Sequence, residues 1–275
     1  MCLYLSLNER AVAQELINKV KSKCCGIKGF MKLIYLYHSG FALLGDDFTL
    51  IFDYWKDSES DGDGILHREL LKRPGRMYVF ASHAHADHFN PEVLSWHLQR
   101  PDIVYLLSQD IQALHEAEQA EAVWLKQGDS YSDERLSVHA FGSTDVGISF
   151  LVEVDGRKIF HAGDLNNWHW MDECEETEWR GYEHAFLQEL QLIRKYTETV
   201  DVAMFPVDPR LGKEYMRGPQ QFVEMIKTFI FVPMHFDEAY ARAAAFRPLA
   251  EAEGARMIAL ERRGQCEEIE CETLI

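Results

Sequence analysis

Six consecutive residues, His83-Ala84-His85-Ala86-Asp87-His88, concentrate four side chains able to ligate a metal. Imidazole nitrogen and carboxylate oxygen suit zinc, manganese or iron. The stretch directly follows the apolar run Met77-Tyr78-Val79-Phe80-Ala81, which reads as a short buried strand. Alternate side chains of an extended segment share a face, so His83 and His85 can reach one ion. Asp87 and His88 break that alternation and can reach a second ion beside it. The bland alternative is a polar surface loop with chance histidines, and so dense a ligand set argues against it. The stretch is read as a metal site.

The elements that must position it alternate from Met31 onward. Strand-like runs fall at 32–37, 41–44, 48–52, 77–81, 103–107, 121–126, 136–141, 147–154, 157–161, 200–206, 229–233, 257–260 and 267–271. Asp46-Asp47, Gly128-Asp129 and Asp155-Gly156 supply turn chemistry between them. Helices are expected at 91–99, with Asn90 as N-cap before Pro91, and at 181–196, 218–228 and 238–253. Hairpins mixed with crossover helices imply an α/β protein (α+β in some schemes) with two facing sheets and helices outside. The first thirty residues stand apart. Val12, Leu16, Ile17 and Val20 have helical spacing, and Arg10, Lys19, Lys21, Lys23 and Lys28 outnumber Glu9 and Glu15. Residues 1–30 are read as a basic extension, a packed helix or disordered tail rather than a membrane-surface helix, and 31–275 as one domain.

A chain of 275 residues with 47% hydrophobic content suits one large domain. The net charge of -17 repels nucleic acid and anionic membranes, so no nucleic-acid partner and no stable membrane association are expected. No apolar run has the length of a membrane span. Met1-Cys2-Leu3-Tyr4-Leu5 is too short for a signal-peptide core and lacks a basic start. The cysteines, at 2, 24, 25, 174, 266 and 271, show neither zinc-ribbon nor disulfide spacing. Together these point to a cytoplasmic enzyme with reduced thiols and a small-molecule substrate, with homo-oligomerisation left open. There is no G-x-S-x-G elbow and no phosphate-binding G-x-x-x-x-G-K-[ST] loop.

An HxHxDH cluster after a strand resembles the signature of the metallo-β-lactamase-fold hydrolases. Phe160-His161-Ala162-Gly163-Asp164 resembles the family's strand-end GD motif, and Val232-Pro233-Met234-His235-Phe236 its final histidine ligand. His38-Ser39-Gly40-Phe41 followed by Leu50-Ile51-Phe52-Asp53 is similar to the opening hairpin of its lactonase-like and phosphodiesterase-like branch. The resemblance implies a four-layer αββα sandwich and two divalent metal ions, zinc first, with manganese or iron as alternatives. His83 and His85 would hold the first metal, Asp87 and His88 the second; Asp164 would bridge both and His235 complete the second. Such a pair lowers the pKa of a shared water, giving hydroxide near neutral pH to cleave a small ester, lactone or phosphodiester. Asp87 would double as the acid/base residue. β-Lactam hydrolysis and nuclease activity are not expected, the latter for want of a basic surface or a large insertion.

One position departs from the family pattern. The first site normally takes another histidine from the loop that here reads Phe141-Gly142-Ser143-Thr144-Asp145-Val146-Gly147, and the pattern sets Ser143 in its place. His139 lies four residues too early. Asp145 or Ser143 as an oxygen ligand, or water, is preferred to His139, and an oxygen-richer site would favour a harder ion. A weakly held first metal is the third option. That departure keeps open a mononuclear oxidative enzyme of the same fold or a non-enzymatic metal-binding or sensing protein. His161 is read as either a hydrogen-bonding support to a ligand or a satisfied core histidine. Trp168 and His38 are candidate substrate contacts, and Arg210 could bind a substrate anion. Lys213 and Arg217 read as ordinary surface charge. The acidic run Asp172, Glu173, Glu175, Glu176 and Glu178 is either a lid or a solvated helix-cap loop. A chain beginning at Met31 should stay folded and metal-bound; an insoluble or metal-free truncation would contradict the domain boundary.

Overall fold

Strands buried on both faces read as continuous apolar runs rather than alternating ones, and that is what the runs in this chain become. The computed structural model describes residues 31–60, 62–114 and 121–269. The basic extension expected over 1–30 and the end of the last expected strand lie outside these residues. One sheet is built from β1 (Met31–Tyr37), β2 (Gly40–Leu44), β3 (Phe48–Phe52), β4 (Arg76–Ala81), β5 (Val104–Ser108) and β6 (Ala122–Leu125), with β14 (Cys266–Ile269) on its edge. The other holds β7 (Ser130–Ser132), β8 (Leu136–Phe141), β9 (Ser149–Val154), β10 (Arg157–His161), β11 (Thr199–Pro206), β12 (Lys227–Met234) and β13 (Arg256–Met257). Their orders are β14-β1-β2-β3-β4-β5-β6 and β13-β12-β11-β10-β9-β8-β7. Each sheet is antiparallel at one end and parallel at the other.

The two-residue period of the strands divides the first sheet's side chains between two cores. Leu33, Tyr35, Phe41, Leu43, Phe52 and Phe80 face the second sheet. Ile34, Leu36, Ala42, Ile51, Val79 and Leu107 face outward, under Leu66, Leu70, Val93, Trp96 and Ile111. These covering residues come from the helix Ile65–Arg68, the 3-10 segments Leu70–Lys72 and Pro91–Leu98, and the helix Gln109–Leu114. The second sheet is covered by the helix Glu176–Tyr196, which buries Phe186, Leu190 and Ile193 on one stripe. The helix Arg217–Met225 adds Phe222, whose ring stacks on Phe160 at 5.4 Å and on Phe205 at 4.5 Å. The layers are therefore helix, sheet, sheet, helix, as the αββα expectation had it.

Differences from the sequence expectation have local causes. The segment over 91–99 is a 3-10 helix, still capped by Asn90, whose side chain accepts from the Glu92 N–H at 3.0 Å. The helix expected at 238–253 is two, Tyr240–Ala244 and Arg247–Ala252; Pro248 has no N–H to continue the first and starts the second. The helix expected from 181 begins at Glu176, so part of the acidic run becomes its first turn, where carboxylates meet the positive end of the helix dipole. Among the described residues no helix is long and apolar enough to cross a membrane.

Phe80 sits where the two sheets meet, fully buried, with its ring 4.7 Å from Phe52 and 5.3 Å from Phe150. Phe80→Ala should lower unfolding free energy by about 3–5 kcal/mol, measured by denaturant titration; a cost below about 1 kcal/mol would contradict this packing.

Candidate metal centre

Six strands end at one rim, and each delivers a polar side chain there. β1 is followed by His38, β3 by Asp53, β4 by His83, β10 by Asp164, β11 by Asp208 and β12 by His235. Carboxyl ends of neighbouring parallel strands are where crossing chains leave a crevice. Turning off the strands toward that crevice takes unusual backbone: φ is 55° at His38, 41° at Asp53, 62° at His235 and 49° at Asp237. Left-handed conformations cost non-glycine residues on the order of 1–3 kcal/mol each. Backbone bonds hold them: the Asp53 N–H donates to Phe80 O at 3.0 Å and the His235 N–H to His38 O at 3.1 Å. Gly147, at φ 79°, lies so close to Ser82 and His83 that a Cβ there would stand 2.1 Å from Ser82 O.

Asp164 lies at the centre. Its Oδ1 is 3.0 Å from His88 Nε2 and 3.2 Å from His235 Nε2, and its Oδ2 is 3.3 Å from His83 Nε2. His85 Nδ1 lies 3.0 Å from His83 Nε2. The ligand atoms fall into two groups, His83, His85 and Asp164 on one side and His38, Asp87, His88 and His235 on the other. Behind the rings stand further carboxylates. Asp53 Oδ2 is 2.7 Å from His88 Nδ1, and the same carboxylate accepts from Ser82 N–H at 2.7 Å and Ser82 Oγ at 2.6 Å. Asp208 Oδ2 is 3.0 Å from His235 Nδ1. A carboxylate on Nδ1 fixes the tautomer and leaves Nε2 directed at the centre. The loop itself is tied down by Asp110, whose Oδ2 accepts the Ala84 N–H at 2.8 Å.

So many imidazoles and carboxylates are stable together only if positive charge sits among them. Burial opposes charge on His88, yet Asp164 and Asp53 outweigh it and hold its pKa well above the ordinary value. His235 is likewise pushed up to about 9, with Asp164 outweighing burial. Burial would raise Asp164, but His88 and His235 hold it well below the usual carboxylate range. His88 Nε2 and Asp164 Oδ1 are buried without a hydrogen bond in good geometry. Nitrogen and carboxylate donors arranged this way fit divalent cations.

An open cavity of about 410 Å³ lies above the centre, walled by His85, Asp87, Asp145, Asp164, Trp168, Trp170, Tyr182, Arg210 and His235, with Thr144. The structure thus brings together His83, His85, Asp87, His88, Asp164 and His235. Asp145 joins them at the cavity wall, where burial and then Asp164 raise its pKa. Ser143 does not: its Oγ accepts from the Asp145 N–H at 3.3 Å and it does not line the cavity. His139, the ligand ranked below an oxygen donor from the sequence, also lies apart. It stays inside β8, 2.8 Å from Ser130 Oγ and stacked on Tyr196 at 4.3 Å, beside a different cavity. Strand alternation points it to the helix-covered face.

His161 is an interior histidine with both nitrogens used, Nε2 toward Ser39 O at 2.9 Å and Nδ1 accepting from Gly163 N–H at 3.2 Å. Trp168 reaches the cavity with its ring 5.4 Å from His235, and its Nε1 donates to Asp164 O at 2.8 Å. Arg210 also lines the cavity, but its guanidinium is already bound by Asp208, with Nε at 2.9 Å and Nη2 at 2.6 Å from Oδ2. Arg217 pairs with Glu183 at 2.6 Å. His38, expected as a substrate contact, is 2% exposed and lies under the cavity rather than on its wall. Asp53, Asp110, Asp208 and Asp237 were not legible as supporting carboxylates; only their place within a few residues of a strand end hinted at them.

Comparison with known proteins came to the same fold. A family model described as a β-lactamase superfamily domain matches residues 32–178. A UPF0173 metal-dependent hydrolase of Opitutus terrae is 25% identical over 228 residues, covering 75% of this chain and 85% of its own. Igni18, a metallo hydrolase of the hyperthermophilic archaeon Ignicoccus hospitalis, superposes with a TM-score of 0.64 at 18% identity, over 88% of this chain and all of its own. CmlA, a diiron β-hydroxylase of Streptomyces venezuelae, gives 0.60 at 12% identity, over 88% of this chain and 54% of its own.

Two variants separate the centre from its surroundings. Asp53→Asn should weaken metal retention about 10–100-fold, read by chelator competition. His139→Ala should leave metal content and turnover unchanged; loss of a metal equivalent would place that histidine at the centre after all.

Proposed function

The chain belongs to the β-lactamase superfamily, and on that premise we propose that this metal-dependent hydrolase uses two divalent cations to cleave a small ester or lactone. The observation that carries the reading is Asp164, one buried carboxylate with imidazole nitrogens at 3.0, 3.2 and 3.3 Å on its two oxygens. His83, His85 and Asp164, with Asp145 alongside, would hold one cation; Asp87, His88, His235 and the same Asp164 would hold the other. Bound cations acidify water and polarise the bond under attack.

The chain's own residues supply the rest. Asp53 and Asp208 hold His88 and His235 in one tautomer, so neither ring reorients when substrate arrives. Asp87, whose side chain is 34% exposed and lines the cavity, is the group placed to take and return a proton. Trp168 and Trp170 stack at 6.3 Å and 15°, giving the cavity a flat apolar wall that shields the reacting bond from bulk water. Asp87, Asp145 and Asp164 line the cavity, and the arginine on its wall, Arg210, is paired with Asp208. Two divalent cations would bring this wall close to neutral. With Arg210 held by Asp208, the cavity wall offers, among the described residues, no free arginine or lysine to clamp a phosphodiester anion, whereas a neutral ester or lactone needs none. Zinc suits the nitrogen-rich donors, and Asp145 would draw a harder ion, manganese or iron, to its side. That same oxygen-rich side is what favours an oxidative, iron-dependent second reading.

A panel of neutral lactones and aryl esters set against aryl phosphodiesters tests the substrate class. Higher kcat/KM on the neutral set is expected, and preference for the phosphodiesters would overturn the assignment. Asp164→Ala should lose more than about 100-fold in kcat with the fold retained by circular dichroism. Normal turnover in that variant would remove Asp164 from the centre.

A further inference from the structure

Three histidines around the centre are built to one plan. His88 has Nδ1 2.7 Å from Asp53 and Nε2 3.0 Å from Asp164. His235 has Nδ1 3.0 Å from Asp208 and Nε2 3.2 Å from Asp164. His38 repeats the arrangement, with Nδ1 2.9 Å from Asp237 and Nε2 3.5 Å from Asp87. In each, a carboxylate behind the ring takes one nitrogen while the other faces a carboxylate of the centre. We propose that His38 is a further ligand of the cation held by Asp87, His88 and His235, with Asp237 as the carboxylate that orients it. This rests on the reading of the centre as a cation site.

Other roles for His38 fit the surroundings less well. A structural interior histidine uses both nitrogens, as His161 does toward Ser39 O and from Gly163 N–H. His38 Nδ1 meets Asp237 at 2.9 Å, and its buried Nε2 is left without a hydrogen bond in good geometry. A substrate contact needs access, and His38 is 2% exposed. Its ring centroid lies 4.2 Å from that of His235 and 5.8 Å from that of His88, so all three face one small volume. Its backbone is fixed from both sides: the N–H donates to Tyr35 Oη at 2.9 Å, and the carbonyl accepts the His235 N–H at 3.1 Å. The left-handed φ of 55° aims the ring inward from the β1–β2 turn. The centre is then asymmetric, with three imidazoles on one side and a carboxylate-rich pair of imidazoles on the other. Such a pair would bind unlike ions with unlike strength.

Cobalt(II) substitution and zinc competition against a chelator test this on the full chain. His38→Ala should weaken one zinc equivalent at least about tenfold and shift the visible cobalt bands, which report ligand identity. Asp237→Asn should weaken the same equivalent about tenfold. Unchanged zinc affinity and an unchanged cobalt spectrum in folded His38→Ala would overturn the assignment while leaving the two-cation reading standing. If that variant does not fold, Asp237→Asn decides, and an unaltered affinity there overturns the assignment. A wild-type chain holding a single cation ends the two-cation reading alone, because a cobalt band shift in His38→Ala still supports His38 as its ligand. A wild-type chain that binds neither metal overturns both.

Discussion

A carboxylate buried among imidazoles sets the terms for everything else in this structure. Asp164 is 4% exposed and has no hydrogen bond in good geometry to its Oδ1, so its charge must be met by nearby positive charge. The rings that surround it can present nitrogen only if something holds their far sides, and that is the work of Asp53 and Asp208. Those carboxylates in turn need their own donors, which Ser82 and Arg210 provide. The chemistry of the centre therefore reaches outward through at least three layers of polar contact before it meets the apolar core.

The fold answers a geometric need. Side chains from six separate strand ends, candidate ligands and the carboxylates behind them, must meet within a few ångström, and a strand packed on both faces is a stiffer support than a loop. Two seven-stranded sheets facing each other supply that stiffness through Phe52, Phe80, Phe150 and Phe160. The left-handed turns at His38, Asp53, His235 and Asp237 are the places where local backbone preference yields to the site.

How much of this the sequence disclosed depends on the range of the interaction. Candidate ligands that are neighbours in the chain, His83 to His88, were visible because their spacing is local. Asp164 and His235 were found by resemblance, each placed at a strand end that the apolar pattern had already marked. Asp145 and His139 show the limit. Spacing already ranked an oxygen ligand above His139, but the reason lies in the fold: β8 keeps its alternation through Phe141, which turns His139 toward Tyr196 and leaves the following loop to reach the cavity. Carboxylates such as Asp53 and Asp237 were hidden because their partners lie on other strands, and no spacing rule links residues across two sheets. The long helix at 238–253 failed for an ordinary local reason, a proline whose effect outweighed the apolar period.

The proposed chemistry depends on Asp164 lying between two cations. Elemental analysis of protein purified without chelators or an affinity tag tests it most directly. About two equivalents of divalent metal per chain are expected, zinc or manganese foremost. A single equivalent of iron would move the chemistry to oxidation, and a metal-free chain that keeps its fold and stays metal-free after exposure to zinc and manganese would contradict the account outright.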